Sequence, residues 1–540
     1  MRLIGPLSTV GLLLGTLFFA FSLTPSLVPR PFAFQGAISG LSLTAGYAIG
    51  AGMSGLWHYL QLPELRGRLE RMVRWLAVAG CALVAVTFMW RAAGWQDAVR
   101  AQMELEPAGG LPPIGAALVA LLVFAAALLL ARLFRGTFRF LSQRLQRYIP
   151  RRVSQLAGVV VAVGLFWAVI DGVLFTMALR AADSSYQQVD ALIEADQERP
   201  SESERAGSPD SFVDWKDLGR QGRSFVSSGP TATELESFLD KPTPTPIRIY
   251  IGLNAAETPE ERARLALQEL HRTDAFERSV LVLATPTGTG WIDPAAADPV
   301  EYLHRGDIAT VTAQYSYLPS PLALMVEGGY GAEMARALFE AVYGHWRTLP
   351  EDDRPALYLH GLSLGALNSD RAFDVFDIIQ DPFDGALWSG PPFRSETWRT
   401  VTERRDEGSP AWLPEFRDGE VVRFMNQETR LDAIGEEWGP FRIAFLQYAS
   451  DPITFFSPSI LYREPDWMSE PRGPDVSSEL RWYPVVTMLQ LAADMAAGGA
   501  PAGYGHTYAV DDYIDAWVDL TEPESWDSDD LDQLRQHLGG

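Results

Sequence analysis

Gly361-Leu362-Ser363-Leu364-Gly365 follows Ala356-Leu357-Tyr358-Leu359, a short apolar and aromatic run of the kind that forms a buried strand. Together they predict a strand that turns sharply into a helix and lifts a serine hydroxyl off the end of a sheet. Such a turn needs small residues on both sides of the serine, because a Cβ at either place collides with neighbouring backbone. Taken alone the pattern is weak. In a glycine-rich chain of 540 residues a G-x-S-x-G arises by chance, and its plain meaning is a glycine-rich turn with Ser363 as a mere turn serine.

Working outward, strands and helices alternate from Ile247 onward. Ile247–Leu253 reads as a strand, and Thr258-Pro259-Glu260-Glu261 reads as a capping box with proline in the first turn, opening a helix to about Arg272. Val280–Ala284 is a buried strand ahead of the loop Thr287-Gly288-Thr289-Gly290, and Ala309–Tyr317 is a further short strand. Helices are predicted over Glu333–Trp346 and Gly365–Ile379, strands over Gly385–Trp388 and Arg442–Gln447, and an amphipathic helix over Tyr513–Leu520. This alternation implies an α/β domain over 246–540, with a mostly parallel sheet and helices on both faces.

In such sheets, sites form beyond the carboxyl ends of the strands. Ser363 lies at one such end, Asp451 follows the strand 442–447 in Tyr448-Ala449-Ser450-Asp451-Pro452, and His506 lies in the late loop Gly503-Tyr504-Gly505-His506-Thr507. The chain order Ser, Asp, His is that of the alpha/beta-hydrolase triad. A serine hydroxyl becomes a nucleophile when an imidazole takes its proton, and a carboxylate fixes the tautomer of that imidazole. Asp475 and Asp511 are rival acids, but Asp451 directly follows an apolar strand. Of the seven histidines, His360 adjoins the turn and reads as packing, and the others lie in the N-terminal part, near helix ends, ahead of the turn or in the tail.

The backbone N–H of Leu364 is one expected oxyanion donor. The second is placed at Asn254, in the loop after 247–253, with the Thr287–Gly290 loop as competitor. That glycine loop is not a phosphate loop, since no Lys-Ser/Thr follows it. No cofactor and no metal are expected.

The N-terminal third has another character. Five apolar stretches, about Leu7–Leu27, Phe34–Leu60, Val73–Trp95, Leu111–Phe134 and Leu156–Leu179, approach or exceed the roughly 20 residues that cross a bilayer as a helix. The second is rich in small residues (Gly46, Gly50, Gly52, Ser54, Gly55) that let helices pack closely. Arginines crowd the loops 61–74 and 132–152, which by the positive-inside rule puts those loops and the N-terminus in the cytoplasm and residue 181 onward outside. Asp171 interrupts the fifth stretch, where an ionisable group is costly; a hydrogen bond to a neighbouring helix is its plainer role.

Charge divides the chain the same way. Residues 1–180 hold 16 Arg, no Lys and 6 acidic residues, a balance of +10, while the rest carries 28 basic and 62 acidic residues. A half this acidic excludes nucleic-acid binding through phosphates and fits a hydrated, soluble domain. Cys81 is the only cysteine, so neither an intramolecular disulfide nor a cysteine metal cluster can form. Residues 181–245 are polar, acidic and Ser/Pro-rich, as in Glu198-Arg199-Pro200-Ser201-Glu202, and read as a partly disordered stalk with a short helix near Thr231–Leu239.

Five segments carry a family resemblance: Thr285-Pro286-Thr287-Gly288-Thr289-Gly290-Trp291, Gln314-Tyr315-Ser316-Tyr317-Leu318-Pro319-Ser320, Gly385-Ala386-Leu387-Trp388-Ser389-Gly390-Pro391-Pro392, Ser450-Asp451-Pro452-Ile453 and Gly505-His506. In them, and across nearly its whole length, the chain resembles bacterial membrane-anchored alpha/beta-hydrolases with an N-terminal multi-span region. The resemblance implies a serine hydrolase and says little about its substrate. The expectation is an integral inner-membrane protein whose catalytic domain faces outward and cleaves an ester, of a lipid or another hydrophobic acyl compound held near the bilayer. Trp291, Trp388 and Phe393 are candidates for an acyl pocket, against the plainer meaning of core aromatics. An acyltransferase using the same triad is a close variant. A non-catalytic hydrolase-like domain of a transport or signalling protein is the alternative from another class.

Overall fold

In the computed structural model, the described residues are 7–63, 67–107, 113–146, 150, 160–161, 163, 189–193, 197–320, 322–323, 329–433, 438–468, 471–497 and 499–539. The chain divides into two compact units. One comprises residues 1–181, 456–470 and 475–500, and the other 182–455, 471–474 and 501–540. The stretches 456–470 and 475–500, placed by sequence in the catalytic domain, are thus grouped with the N-terminal helices.

The helical unit contains α1 (Thr9–Phe21), α2 (Phe32–Tyr59), α3 (Gly67–Gln102) and α4 (Pro113–Leu145), together with the later helix Val486–Ala497. Of the stretches expected to span, α3 and α4 are long and apolar enough to cross a membrane; in their most apolar 18-residue windows 0% and 17% of residues are buried by protein. The first stretch differs. At 13 residues α1 is about 20 Å long, short of the roughly 30 Å hydrocarbon layer. It stops at Ser22, where Thr24-Pro25 cannot continue a helix, and Ser22, Thr24, Ser26 and Arg30 are buried within the unit. α2 is long enough, but its glycines and serines keep it out of the apolar class. Nearly all of the fifth stretch, including Asp171, lies outside the described residues.

A fully buried ion pair fastens the late helix within this unit: Arg30 Nε meets Asp494 Oδ1 at 2.5 Å. Arg30 also donates to the Gln490 carbonyl, and the Gln490 amide donates to the carbonyls of Ser22 and Thr24. Buried charges are tolerated where their remaining hydrogen-bonding capacity is filled in this way.

The second unit is built on seven parallel strands: β1 (Ile247–Ile251), β2 (Val280–Thr285), β3 (Ile308–Ala313), β4 (Ala356–Leu362), β5 (Gly385–Ser389), β6 (Val422–Met425) and β7 (Arg442–Leu446). Their order is β1-β3-β2-β4-β5-β7-β6. β1 to β5 and β7 sit where the sequence puts strands. β6 escaped notice: Val-Arg-Phe-Met is too short to show a periodicity, and it adds to β7 at the edge. Helices Pro259–Arg272 and Tyr330–Trp346 pack on each other and on the β1–β3 side, while Val510–Thr521 covers β5 and β7. The capping box at Thr258 forms, its hydroxyl accepting from Glu261 N–H.

Residues 197–246 do not behave as the expected stalk. Ala206 N–H donates to Arg248 O at 3.0 Å and Arg248 N–H to Glu204 O at 3.1 Å, so the segment lines the edge of β1. Arg248, fully buried, is paired with Glu301 at 2.7 Å and Asp298 at 2.5 Å. A polar composition reads as disorder when its charges look solvated; here Arg205 is buried, donating to the carbonyls of Gly229 and Pro230.

Candidate active site

β4 ends in the turn that the sequence predicts. Ser363 adopts φ 57° and ψ −122°, a region costly for a residue with a side chain, and sits immediately before the helix Leu364–Asp370. A Cβ at Gly361 would lie 2.4 Å from the Gly365 carbonyl carbon, and one at Gly365 would lie 2.2 Å from the Thr285 oxygen at the end of β2. Glycine is therefore required at both places. Ser363 N–H donates to Ser389 O at 2.9 Å, tying the turn to the end of β5. The helix is shorter than the expected Gly365–Ile379: it stops at Asp370, and Asp374 caps a separate short helix, Val375–Ile378.

β7 delivers Asp451 through the turn Tyr448-Ala449-Ser450-Asp451, in which Asp451 N–H returns to Tyr448 O. Asp451 is fully buried. Its Oδ1 accepts from the backbone N–H of Ile453 at 2.8 Å and of Thr454 at 3.4 Å. Its Oδ2 accepts from His506 Nδ1 at 2.7 Å, Tyr508 OH at 2.8 Å and Thr454 Oγ1 at 3.2 Å. The His506 loop is pinned to this turn by Gly505 N–H, which donates to Ser450 Oγ at 2.8 Å.

With Nδ1 engaged by Asp451, the other ring nitrogen of His506, Nε2, is buried and has no hydrogen-bond partner among the described residues. The ring lies against Gly390, where an added Cβ would fall 2.6 Å from His506 Cε1. Gly390 follows Ser389, whose carbonyl holds Ser363. Asp451 and His506 are thus joined directly. Ser363 is linked to them through Ser389-Gly390, and no hydrogen bond joins it to His506.

The donor expected at Asn254 is misplaced. Two strands, β3 and β2, separate β1 from β4 in the sheet, a distance of roughly 14 Å at the usual spacing. Asn254 is exposed, and its Oδ1 accepts from Tyr317 OH at 2.7 Å. The loop that adjoins Ser363 follows β2, because Thr285 is in register with Gly361. This is the Thr287–Gly290 loop, the competitor named from sequence. Which loop adjoins Ser363 follows from strand order, and strand order is invisible in the residues themselves.

Of the aromatic candidates, Trp388 is core: it is 1% exposed, and its indole N–H donates to Ser369 Oγ at 3.0 Å. Trp291 is 36% exposed, and Phe393 is half-buried. His360 is packed as expected, with Nδ1 on Leu387 O at 3.0 Å, and burial pushes its pKa down to about 4. Asp475 falls in the share of the helical unit, and Asp511 faces Arg535 and Asp515.

Asp293 and Tyr508 were missed by sequence reasoning. Asp293 caps the helix Pro294–Leu303, accepting from Ala295 N–H at 3.0 Å. Burial pushes its carboxyl up to about 6, opposed by that N–H and by the charge of His506, which lies within its electrostatic reach. The pair Asp293-Pro294 signals a helix start but not its neighbour. Among the described residues, no three His, Cys, Asp or Glu side chains gather as a metal site.

Comparison with known proteins agrees with this architecture. A profile described as alpha/beta-hydrolase family matches residues 247–534, and a second, described as the N-terminus of that family, matches residues 23–230. No curated protein and no solved structure matches the sequence. The first match alone covers more than half of the chain and contains all seven strands, Ser363, Asp451 and His506. The chain belongs to the alpha/beta-hydrolase family.

Proposed function

We propose that this hydrolase-family chain is a membrane-attached serine esterase, with Ser363 as nucleophile, His506 as general base and Asp451 as the orienting carboxylate. The hydrogen bond between His506 Nδ1 and Asp451, with Nε2 left open beside the strained Ser363 turn, carries the reading. In the first half-reaction Nε2 takes the Ser363 proton as Oγ adds to the ester carbonyl, and Asp451 stabilises the imidazolium. The imidazolium then protonates the departing alkoxide, leaving an acyl-serine. Water, deprotonated by the same nitrogen, releases the acid.

The oxyanion is held by the N–H of Leu364, in the first helical turn and so without an intrahelical partner, and by a donor of the Thr287–Gly290 loop. A Cβ at Gly365 would strike the Thr285 oxygen, and this proximity supports the loop's role. The substrate is a lipid or another hydrophobic acyl ester. The apolar surface that α3 and α4 leave uncovered supports attachment to a bilayer, and the arginine distribution supports a bacterial inner-membrane location with the N-terminus cytoplasmic and the hydrolase unit outside.

The test is ester hydrolysis by full-length protein in detergent. Ser363→Ala should lower kcat on the order of 10⁶-fold, and adding His506→Ala should cost little more, since triad members act as one unit. A Ser363→Ala variant with wild-type turnover contradicts the assignment.

A further inference from the structure

Asp451 Oδ2 is shared. The imidazole of His506 approaches it at 2.7 Å, and the hydroxyl of Tyr508, two residues further along the same loop, approaches it at 2.8 Å. Tyr508 is 3% exposed and its ring is fixed on several sides. It stacks on Tyr448 with centroids 4.5 Å apart, stands edge-on to His506 at 5.9 Å, and occupies space that a Cβ at Gly390 would enter at 2.9 Å. Burial and the neighbouring Asp451 push the phenol well above its ordinary value, so it stays a donor throughout the working range. Among the described residues, none of the donors to Asp451 is a lysine or an arginine. Hydrogen bonds from these groups hold the buried carboxylate, and Tyr508 supplies the shorter of the two hydroxyl contacts.

We infer that Tyr508 is a positioning residue of the proposed triad, holding Asp451 Oδ2 in line with His506 and competing with His506 for the charge of that oxygen. The inference rests on the triad reading above. Its physical content is a competition for one oxygen: a donor removed from a carboxylate leaves more negative charge for the partner that remains. Tyr508→Phe keeps the ring, the stacking and the volume and removes only the hydroxyl. Asp451 then favours the imidazolium more strongly, and the base is protonated at higher pH.

Other groups facing this pair are Asp293 from the cap of Pro294–Leu303, Tyr448 from the turn after β7, and Asp512 and Tyr513 from Val510–Thr521. All of them remain in the variant. Tyr448→Phe is the control, since the Tyr448 hydroxyl donates to Asp512 and accepts from Ala509 N–H and is not among the donors to the Asp451 carboxylate.

The experiment is the pH profile of kcat/KM for ester hydrolysis by the full-length protein, with Ser363→Ala as background. For Tyr508→Phe the acidic limb should move upward by roughly 0.5–1 pH unit, and kcat should fall by about 10-fold with KM little changed. Thr454→Val, which removes the other hydroxyl from the same oxygen, should shift the limb in the same direction by less, and decides the matter should Tyr508→Phe fold poorly. Tyr448→Phe should leave the limb in place. A wild-type limb in Tyr508→Phe and Thr454→Val, or an equal shift in Tyr448→Phe, overturns the inference while Ser363-dependent activity upholds the triad. Wild-type activity that survives Ser363→Ala overturns both.

Discussion

In the helical unit, Gly36 and Gly40 stand where α2 meets α4, and Gly46 and Gly50 where it meets α1. Added Cβ atoms would lie 2.6 to 2.7 Å from Val119 Cβ, Ala120 O, Leu14 O and Val10 O. In the hydrolase unit, Gly361 and Gly365 stand in a turn, and the atoms they would strike belong to that turn or to the end of β2. The first set lets whole helices approach, the second lets one residue adopt a strained shape. Burial differs in the same sense. α3 and α4 expose apolar side chains such as Trp75, Leu83, Trp90, Leu122 and Leu129, whereas the sheet buries its aromatic residues and gathers polar groups at the carboxyl ends of its strands. One unit leaves apolar side chains exposed along two long helices, and the other buries them in a sheet.

The largest stability effect that would break this contrast lies in the ion pair of the helical unit. Asp494→Ala leaves Arg30 buried without its partner and should cost about 3–5 kcal/mol, read as a fall in the denaturation midpoint of that unit. The double change Arg30→Met with Asp494→Leu should recover most of it. Recovery of none would mean that the pair is more than a compensated burial.

On the hydrolase side, Gly365→Ala forces backbone apart at the Ser363 turn and should cost about 3 kcal/mol together with most of the activity. Undiminished turnover would show that the turn tolerates repositioning.

Charge burial in the hydrolase unit is tested by Asp293→Asn, which keeps a helix-capping oxygen. The folded pKa of Asp293, about 6, exceeds the ordinary value of 3.8, so its ionisation penalises the fold as pH rises between those values. The variant should match wild type below about pH 4 and gain up to about 3 kcal/mol above pH 7, read from thermal midpoints across pH. A gain at pH 4 as large as at pH 8 would assign the effect to something other than charge.

The smallest effect separates packing glycines from idle ones. Gly52 of α2 has open space around its Cβ position, so Gly52→Ala should stabilise by roughly 0.5–1 kcal/mol, while Gly46→Ala should destabilise. Equal responses would dissolve the distinction between the two faces of α2.

Much of the hydrolase unit was legible because its signals are local. The apolar run before Ser363, the capping box at Thr258 and the strand before Asp451 each lie within a few residues. Legibility ended where distant segments meet. The neighbour of β4 is β2 rather than β1, so the loop that adjoins Ser363 is Thr287–Gly290 and not the one that holds Asn254. The segment 197–246 looked solvated because the edge of β1 that Glu204 and Ala206 bond lies some forty residues further along the chain. Tyr508 carried no pattern at all; only the folded loop brings its hydroxyl to Asp451.

The central claim, that Ser363 is a nucleophile activated by His506, is tested most directly by mapping the adduct of a fluorophosphonate probe on full-length protein by peptide mass spectrometry. The account predicts a single adduct on the peptide containing Ser363, abolished by Ser363→Ala and slowed by orders of magnitude in His506→Ala. No adduct on folded wild-type protein, or an adduct on another serine that survives Ser363→Ala, would contradict it.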